Sequence, residues 1–529
     1  MEGFAITGPF FVTMQPVNSV AVIGAGTSGV SAAAHLIRHG LSVTVFERSS
    51  IAGGVWHLDP ESAHEPPYPN EVPSKGDYDV HQEADENAYI TPPATPGRAQ
   101  SGASTPNGTN MTGKDVEDAR AARIGHAPPG PCYAGLKNNV SLTNMKTSLQ
   151  DWPPGLEEFV SQQYLEEYVQ ATAENHGVNA ITQYNTRVEN IRKVSAAWEV
   201  RTTTLNSSNQ LQSRVQYFDA VVVASGHYNM PRVPDIPGLR EWKSRYPEQI
   251  SHSKRYRDAR RYRGRTVLLV GAGVSSMDIA KEIFSAGGSV VQSARGGLFD
   301  LPAGMLPEQN ARRVDGLSHF VLDEDTTDDG DEPIAGRVVL TSGEHLSGIH
   351  DVILCTGYIT SYPFLPDKHD DDRAANEVDE NLLVTREGEM THNLHKDIFY
   401  IPDPTLAFVG TPYHISTFSL FDFQAQVVAR VFAGNADLPD KAAMRREYAQ
   451  KVTARGYGRD FHSLRGEGEE IAYVARLVEW MNSNLEDTVE PMRGHTDAWH
   501  AAHRIQREML AARKILKEKD IIVEENVVS

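Results

Sequence analysis

Three glycines, Gly24, Gly26 and Gly29, stand in GxGxxG spacing directly after the apolar run Val20–Ile23. A glycine at the first place permits a tight turn, one at the second lets the backbone approach a pyrophosphate, and one at the third lets a helix pack close to its strand. The Ala-rich helix that follows turns its positive end toward the phosphates. Glu47, about twenty residues further on, closes the next strand, where an acid hydrogen-bonds a ribose diol. A glycine turn without a ligand is the plainer alternative.

The pattern recurs once, in RTVLLVGAGVSSMDIAKEIFSAGGSVVQSAR. Gly271 and Gly273 take the first two places, Ser275 follows, and Ser276 stands at the third, so looser helix–strand packing is expected. Arg295, rather than an acid, ends the following strand. A guanidinium suits a 2′-phosphate, which an acid would repel. The first turn therefore reads as an FAD site and the second as an NADPH site; an ordinary surface arginine is the plainer alternative for Arg295.

Both turns need a strand before and a helix after them. Residues 19–47 and Thr266–Gln292 each read as strand, turn, helix, strand. The apolar spacing over 156–176 predicts a helix ending before Gly177, and Trp198–Thr203, Phe218–Ala224 and Asp351–Leu354 read as strands. The expected fold is α/β, with two Rossmann-like dinucleotide-binding domains and a helical C-terminal extension. The FAD domain is expected over 16–59, 131–226 and 355–435, the NADPH domain over 227–354, and the extension over 436–529. Residues 60–130 contain TPPATPGRAQSGASTPNGTNMTGK, too poor in large apolar residues to offset the entropy of ordering, and are expected to be a disordered insertion. Thr95-Pro96 and Thr105-Pro106 are candidate phosphorylation sites within it, with an inert loop as the alternative.

The chain has 529 residues and a formal charge of −20, which disfavours nucleic acid and anionic membrane surfaces as partners. No apolar run approaches the roughly 20 residues that span a bilayer. The N-terminal stretch lacks a positive charge ahead of its apolar residues, so no secretory signal is expected and the sequons at Asn107, Asn110 and Asn139 read as chance. Two distant cysteines, Cys132 and Cys355, fit a reducing, cytoplasmic setting, and the absence of a CxxC pair argues against a disulfide reductase. The scattered histidines offer no metal site. Nothing in the sequence sets a subunit count.

From about residue 18 to 435, interrupted by 60–130, the chain resembles the flavin-containing monooxygenases, the class B flavoprotein monooxygenases. Gly53, Gly54, Val55 and Trp56 match the family's GGxW segment beside the flavin. Ala224, Ser225 and Gly226 resemble the crossover into the NADPH domain, and Cys355, Thr356, Gly357 and Tyr358 the crossover back. Gln424 resembles a glutamine that neighbours the flavin. The identifying motif is degenerate: Trp242 and Ser244 replace Phe and Gly, while His252 and Tyr256 keep HxxxY at a stretched spacing. Tyr256 leans toward amine and sulfur oxygenation. Asn139 aligns with the family's catalytic asparagine, Asn138 replacing the usual Thr; an amide can donate to a flavin-bound oxygen and accept from a substrate. A turn residue in a poorly matched segment is the alternative for Asn139.

The resemblance implies an FAD- and NADPH-dependent monooxygenase that passes one oxygen atom of O2 to a small organic substrate through a C4a-hydroperoxyflavin. Bound NADP⁺ would shield that adduct from water. The insertion and tail resemble those of fungal members, many of which serve secondary metabolism. Alternatives are a Baeyer–Villiger monooxygenase acting on a ketone and a catalytically silent flavin-binding protein. Stretches 300–320 and 411–421 are expected near the substrate entrance.

Overall fold

The computed structural model describes residues 11–12, 14, 16–78, 89–90, 113–323, 332–483, 485 and 489–509. The apolar strand Ser19–Ile23 leads into the helix Thr27–Arg38 and then the strand Ser42–Phe46. Ser19–Ile23 lies between Ala220–Val223 and Ser42–Phe46, parallel to both. Leu406–Phe408 and Thr182–Gln183 extend this parallel core, and a short antiparallel hairpin, Leu394–His395 and Phe399–Tyr400, completes seven strands. All four residues of Ala220–Val223 are buried, as expected of a parallel strand covered on both faces.

A second sheet repeats the scheme. Ile250–His252, Asp351–Leu354, Thr266–Val270, Ser289–Ser293 and Ala311–Val314 run parallel in that order. The helix Val274–Ser285 follows the second turn and buries Met277, Ile279, Ala280 and Ile283. Each glycine turn thus sits at the carboxyl end of a central parallel strand, where open α/β sheets bind ligands. The α/β fold with two Rossmann-type units is the one read from the sequence. No helix among the described residues is long and apolar enough to cross a membrane.

Three expectations need correction. Residues 60–130 are not one disordered insertion. Asn70 exchanges backbone hydrogen bonds with Val233, the Tyr78 hydroxyl donates to the Val188 carbonyl, and Gly113–His126 is a helix whose end buries Ile124. These ends are held by polar pairing and ion pairs, which a count of apolar residues does not register. Residues 79–88 and 91–112, with the two Thr-Pro pairs and sequons Asn107 and Asn110, lie outside the described residues. The helix expected over 156–176 spans Gln162–Asn175; ahead of it the backbone pairs with 136–142, Leu142 N–H donating to Glu158 and Gln162 N–H to Leu136. The run Phe218–Ala224 is broken at Asp219, whose carboxylate accepts from the Asn18 and Ser19 amides at 2.9 Å each. The C-terminal extension is helical as expected, with helices Lys441–Arg455, Glu469–Asn482 and 497–509, and it packs on the body. Trp499 is buried there, its indole donating to the Asn144 carbonyl at 3.0 Å.

Candidate active site

The two turns share one local geometry. Gly24 and Gly271 adopt φ +102° and +111°, and a Cβ on either would lie 2.8 Å from the Ala224 carbonyl oxygen and 2.5 Å from that of Cys355. Only glycine fits. Each turn is therefore pressed against the crossover segment that precedes Ser225–Gly226 or Thr356–Gly357. The crossovers also hold each other: Arg232 N–H donates to the Gly357 carbonyl at 2.9 Å, and the Thr356 hydroxyl to the Arg232 carbonyl at 2.5 Å.

A cavity of about 1230 Å³ runs past both turns. Of the residues singled out from the sequence, Gly24, Gly26, Glu47, Gly54, Val55, Trp56, Asn139, Ser225, Gly226, Gly271, Gly273, Ser275, Arg295, Thr356 and Gly357 line it. Glu47 accepts from the Ala25 amide at 2.7 Å and from the Ser49 amide and hydroxyl at 2.8 Å each. That fixes an acceptor beside the first turn. Arg295 is exposed at the cavity wall beside the second turn, free to reach an anion.

Gly29, Ser276 and Gln424 stand behind the wall. A Cβ on Gly29 would fall 1.8 Å from the Gly24 carbonyl oxygen, so this glycine serves helix–strand contact. Ser276 is fully buried, and its hydroxyl accepts from the Gln292 amide at 2.8 Å. The serine thus replaces close packing with a hydrogen bond, and the helix is tied to its strand rather than loosened. Gln424 is fully buried; its oxygen accepts from the Gly410 amide at 2.9 Å and its nitrogen donates to the Tyr473 hydroxyl at 2.8 Å. It positions the cavity-lining Gly410 without reaching the cavity itself.

The degenerate motif is structural in every described contact. Trp242 is buried against Phe320 with ring centroids 5.0 Å apart. His252 accepts from the Lys254 amide at 3.1 Å and donates to the Gly357 carbonyl at 3.1 Å, and burial pulls it down to about 3, so it is neutral. The Tyr256 hydroxyl donates to Glu282 at 2.5 Å. His252 therefore pins the returning crossover whatever stands at Trp242 and Ser244. Asn138, in the place of the usual Thr, is buried and donates to the Val140 and Glu158 carbonyls, which leaves Asn139 at the cavity wall.

Several wall residues carry no sequence motif. Arg48 and Asp77 are two of them, and the buried Asp77 carboxylate also pairs with Lys254, which stands behind the wall. Arg123 and Pro128–Gly130 come from the stretch expected to be disordered. His503, Gln506 and Arg507 come from the last described helix, Gln506 donating to the Asn139 carbonyl at 3.0 Å. Of the expected entrance stretches, 412–417 and Phe421 line the cavity, whereas 300–320 contributes Asp300 and Leu317. One signal was available: Trp499 in an otherwise charged helix marks a face that must be covered. Burial lifts both Cys132 and Cys355 to about 12, so neither is a reactive thiolate. No group of residues suited to a metal ion occurs among the described residues.

Residues 132–302 match the family described as flavin-binding monooxygenase-like, and residues 19–57 match FAD dependent oxidoreductases. The chain is 40% identical over 502 residues to the flavin-containing monooxygenase ustF2 of Aspergillus flavus, covering 93% of this chain and 98% of that one. It is 27% identical over 317 residues to a trimethylamine monooxygenase of Roseovarius, covering 59% and 62% of the two chains. Among solved structures it resembles S-allyl-L-cysteine S-oxygenase of Allium sativum, with TM-score 0.63, 22% identity and coverage of 95% and 94%.

Proposed function

The chain belongs to the flavin-containing monooxygenase family, and from that premise we propose that FAD occupies the first turn, NADPH the second, and an amine or sulfur substrate the cavity beside Asn139. The protein is an FAD- and NADPH-dependent monooxygenase acting on a small organic substrate with O2. When bound, the two cofactors supply the electrons and the activated oxygen.

The single observation that carries the assignment of sites is the continuity of one cavity past Gly24, Gly26 and Glu47, past Gly271, Gly273 and Arg295, and past Asn139. Its volume of about 1230 Å³ has room for more than one drug-sized ligand. Both cofactors fit the residues present: Glu47 offers an acceptor to a ribose diol, and Arg295 offers a guanidinium to a 2′-phosphate. Asn139 would hold an amide at the reacting oxygen, and the helix 497–509 against it would keep water out. The FAD-binding parts are assigned to 16–59, 131–226 and 355–435 and the NADPH-binding part to 227–354. The trimethylamine monooxygenase among the relatives supports heteroatom oxygenation over attack on ketones.

The test is NADPH consumption by the FAD-loaded protein with amine, sulfide and ketone panels under isotope-labelled O2. A product carrying one labelled oxygen on nitrogen or sulfur supports the reading. Lactone or ester products alone would move the protein to the Baeyer–Villiger alternative. Flavin that NADPH does not reduce would overturn the placement at the second turn.

A further inference from the structure

The helix Glu469–Asn482, which follows the part of the chain that carries the recognised motifs, packs on the helix Thr417–Phe432 and brings Glu470 to the cavity wall. The Glu470 side chain is buried, and its two oxygens accept from the amide and hydroxyl of Ser416, at 2.9 and 3.3 Å. Ser416 and its neighbours Ile415 and Thr417 line the same cavity as Trp56 and Asn139.

Most charged and titratable groups around Glu470 are engaged with other partners. On its own helix, Glu469 pairs with Arg455 and the Tyr473 hydroxyl donates to the Lys396 carbonyl. His414 bonds the Ser463 hydroxyl, Arg465 donates to the Leu298 carbonyl, and Asp422 is taken by His35. His503 and Arg507 line the cavity from the last described helix. Among the described residues no lysine, arginine or histidine forms an ion pair with Glu470. Burial raises it to about 7, opposed only by Ser416. A buried carboxylate without a cation is costly, and a cationic group entering the cavity would remove that cost.

We propose that Glu470 is a substrate-binding and catalytic carboxylate, which takes an aliphatic ammonium group and accepts its proton. The inference rests on the monooxygenase reading and names its substrate class as a basic amine. An ammonium nitrogen has no lone pair to give to oxygen, so it must lose a proton first. With R–NH₃⁺ as the form that binds, the N–H proton passes to Glu470 and is later used in forming water. The turnover balances as R–NH₃⁺ + O₂ + NADPH giving R–NHOH + H₂O + NADP⁺. One N–O bond forms, the O–O bond breaks, and NADPH and the nitrogen supply two electrons each.

A cap on the helix that begins at Thr417 would use the same Ser416 contacts, and the test must separate the two roles. The FAD-loaded full chain is titrated with benzylamine and with benzyl alcohol, binding being read from the flavin absorbance between about pH 5.5 and 8.5, where the amine stays protonated. Expected is a preference for the amine of about ten-fold or more, growing as pH rises through about 7 because the carboxylate forms there. Glu470→Gln keeps an acceptor for Ser416 and should abolish the preference while alcohol binding stays within about two-fold. A parent protein without the preference, or a Gln variant that retains it, overturns the proposal. Failure of the underlying reading shows separately, as flavin that NADPH does not reduce.

Discussion

Replacing Asp77 tests the correction at residues 60–78 most sharply. Its carboxylate is buried and lies 3.1 Å from Arg48 and 2.9 Å from Lys254, and Arg48 also reaches the Asn229 side chain at 3.0 Å. Two cations therefore share one anion. Asp77→Asn keeps the shape and removes the charge, which leaves a buried ammonium and a guanidinium without a counter-ion. Losing one partner of a buried pair costs roughly 3–5 kcal/mol. The surviving amide acceptor, and the Asn229 carbonyl 2.6 Å from Lys254, place the expectation at the low end, about 3 kcal/mol. For a unit of this size that is a fall of roughly 5–10 °C in the unfolding midpoint of the FAD-loaded protein, read by calorimetry. The pH dependence has a definite sign. The neighbouring cations hold Asp77 well below the usual carboxylate range against the opposing effect of burial, so its stabilisation is complete above about pH 4 and is lost as pH falls further. The gap between parent and variant should be flat near neutrality and close in acid. Adding Lys254→Met removes the orphaned ammonium and should recover about half of the loss. A variant with an unchanged midpoint and unchanged flavin affinity would refute the packed arrangement of 60–78.

Gly29→Ala should yield protein that purifies without flavin, because its Cβ would meet the Gly24 carbonyl at 1.8 Å; full flavin occupancy would contradict this. Ser276→Gly loses one buried hydroxyl contact, about 1 kcal/mol, and should leave the KM for NADPH within about two-fold. Arg295→Gln should raise the KM for NADPH by roughly ten- to a hundred-fold with NADH unaffected, since only the former carries a 2′-phosphate; equal effects on both would refute the assignment. Trp499→Ala removes an indole stacked on His495 at 3.6 Å and bonded to Asn144. It should release the helix 497–509, read as faster hydrogen exchange there, and raise the share of NADPH spent on hydrogen peroxide.

What the sequence revealed follows from how far apart interacting residues lie. The glycine turns, their strands and the acid or base ending each unit sit within thirty-odd residues of one another, and local periodicity finds them. The misses are long-range and polar. Trp499 meets Asn144 across 355 residues and Asp77 meets Lys254 across 177, and neither pairing leaves a spacing to read. Gln424 was found by resemblance, yet its contacts with Gly410 and Tyr473 make it a support for the wall. Asn138 shows the reverse: the departure from the family pattern is absorbed by two backbone carbonyls, and its neighbour stays at the cavity.

The two turns also differ in a way that their near-identical spacing hides. Behind the first, a Cβ on Gly26 would lie 3.3 Å from the Gly54 Cα, so the GGxW segment closes over the turn. Gly53 N–H donates to the Ala25 carbonyl at 3.1 Å and fastens that closure. At the second turn, Gly273 has nothing within 4 Å of the same position. A nucleotide at the first turn would therefore have the GGxW segment beside it as well as the turn, whereas the space next to Gly273 at the second is open. Slow release requires contacts that must break together, and fast release requires their absence. With the proposed placement, the closed turn would suit a flavin that stays through many cycles, and the open turn a nicotinamide that is exchanged in each. The third glycine follows the same logic: the first helix is pressed onto the Gly24 carbonyl and admits no side chain at Gly29, while the second stands far enough off to hold Ser276 against Gln292.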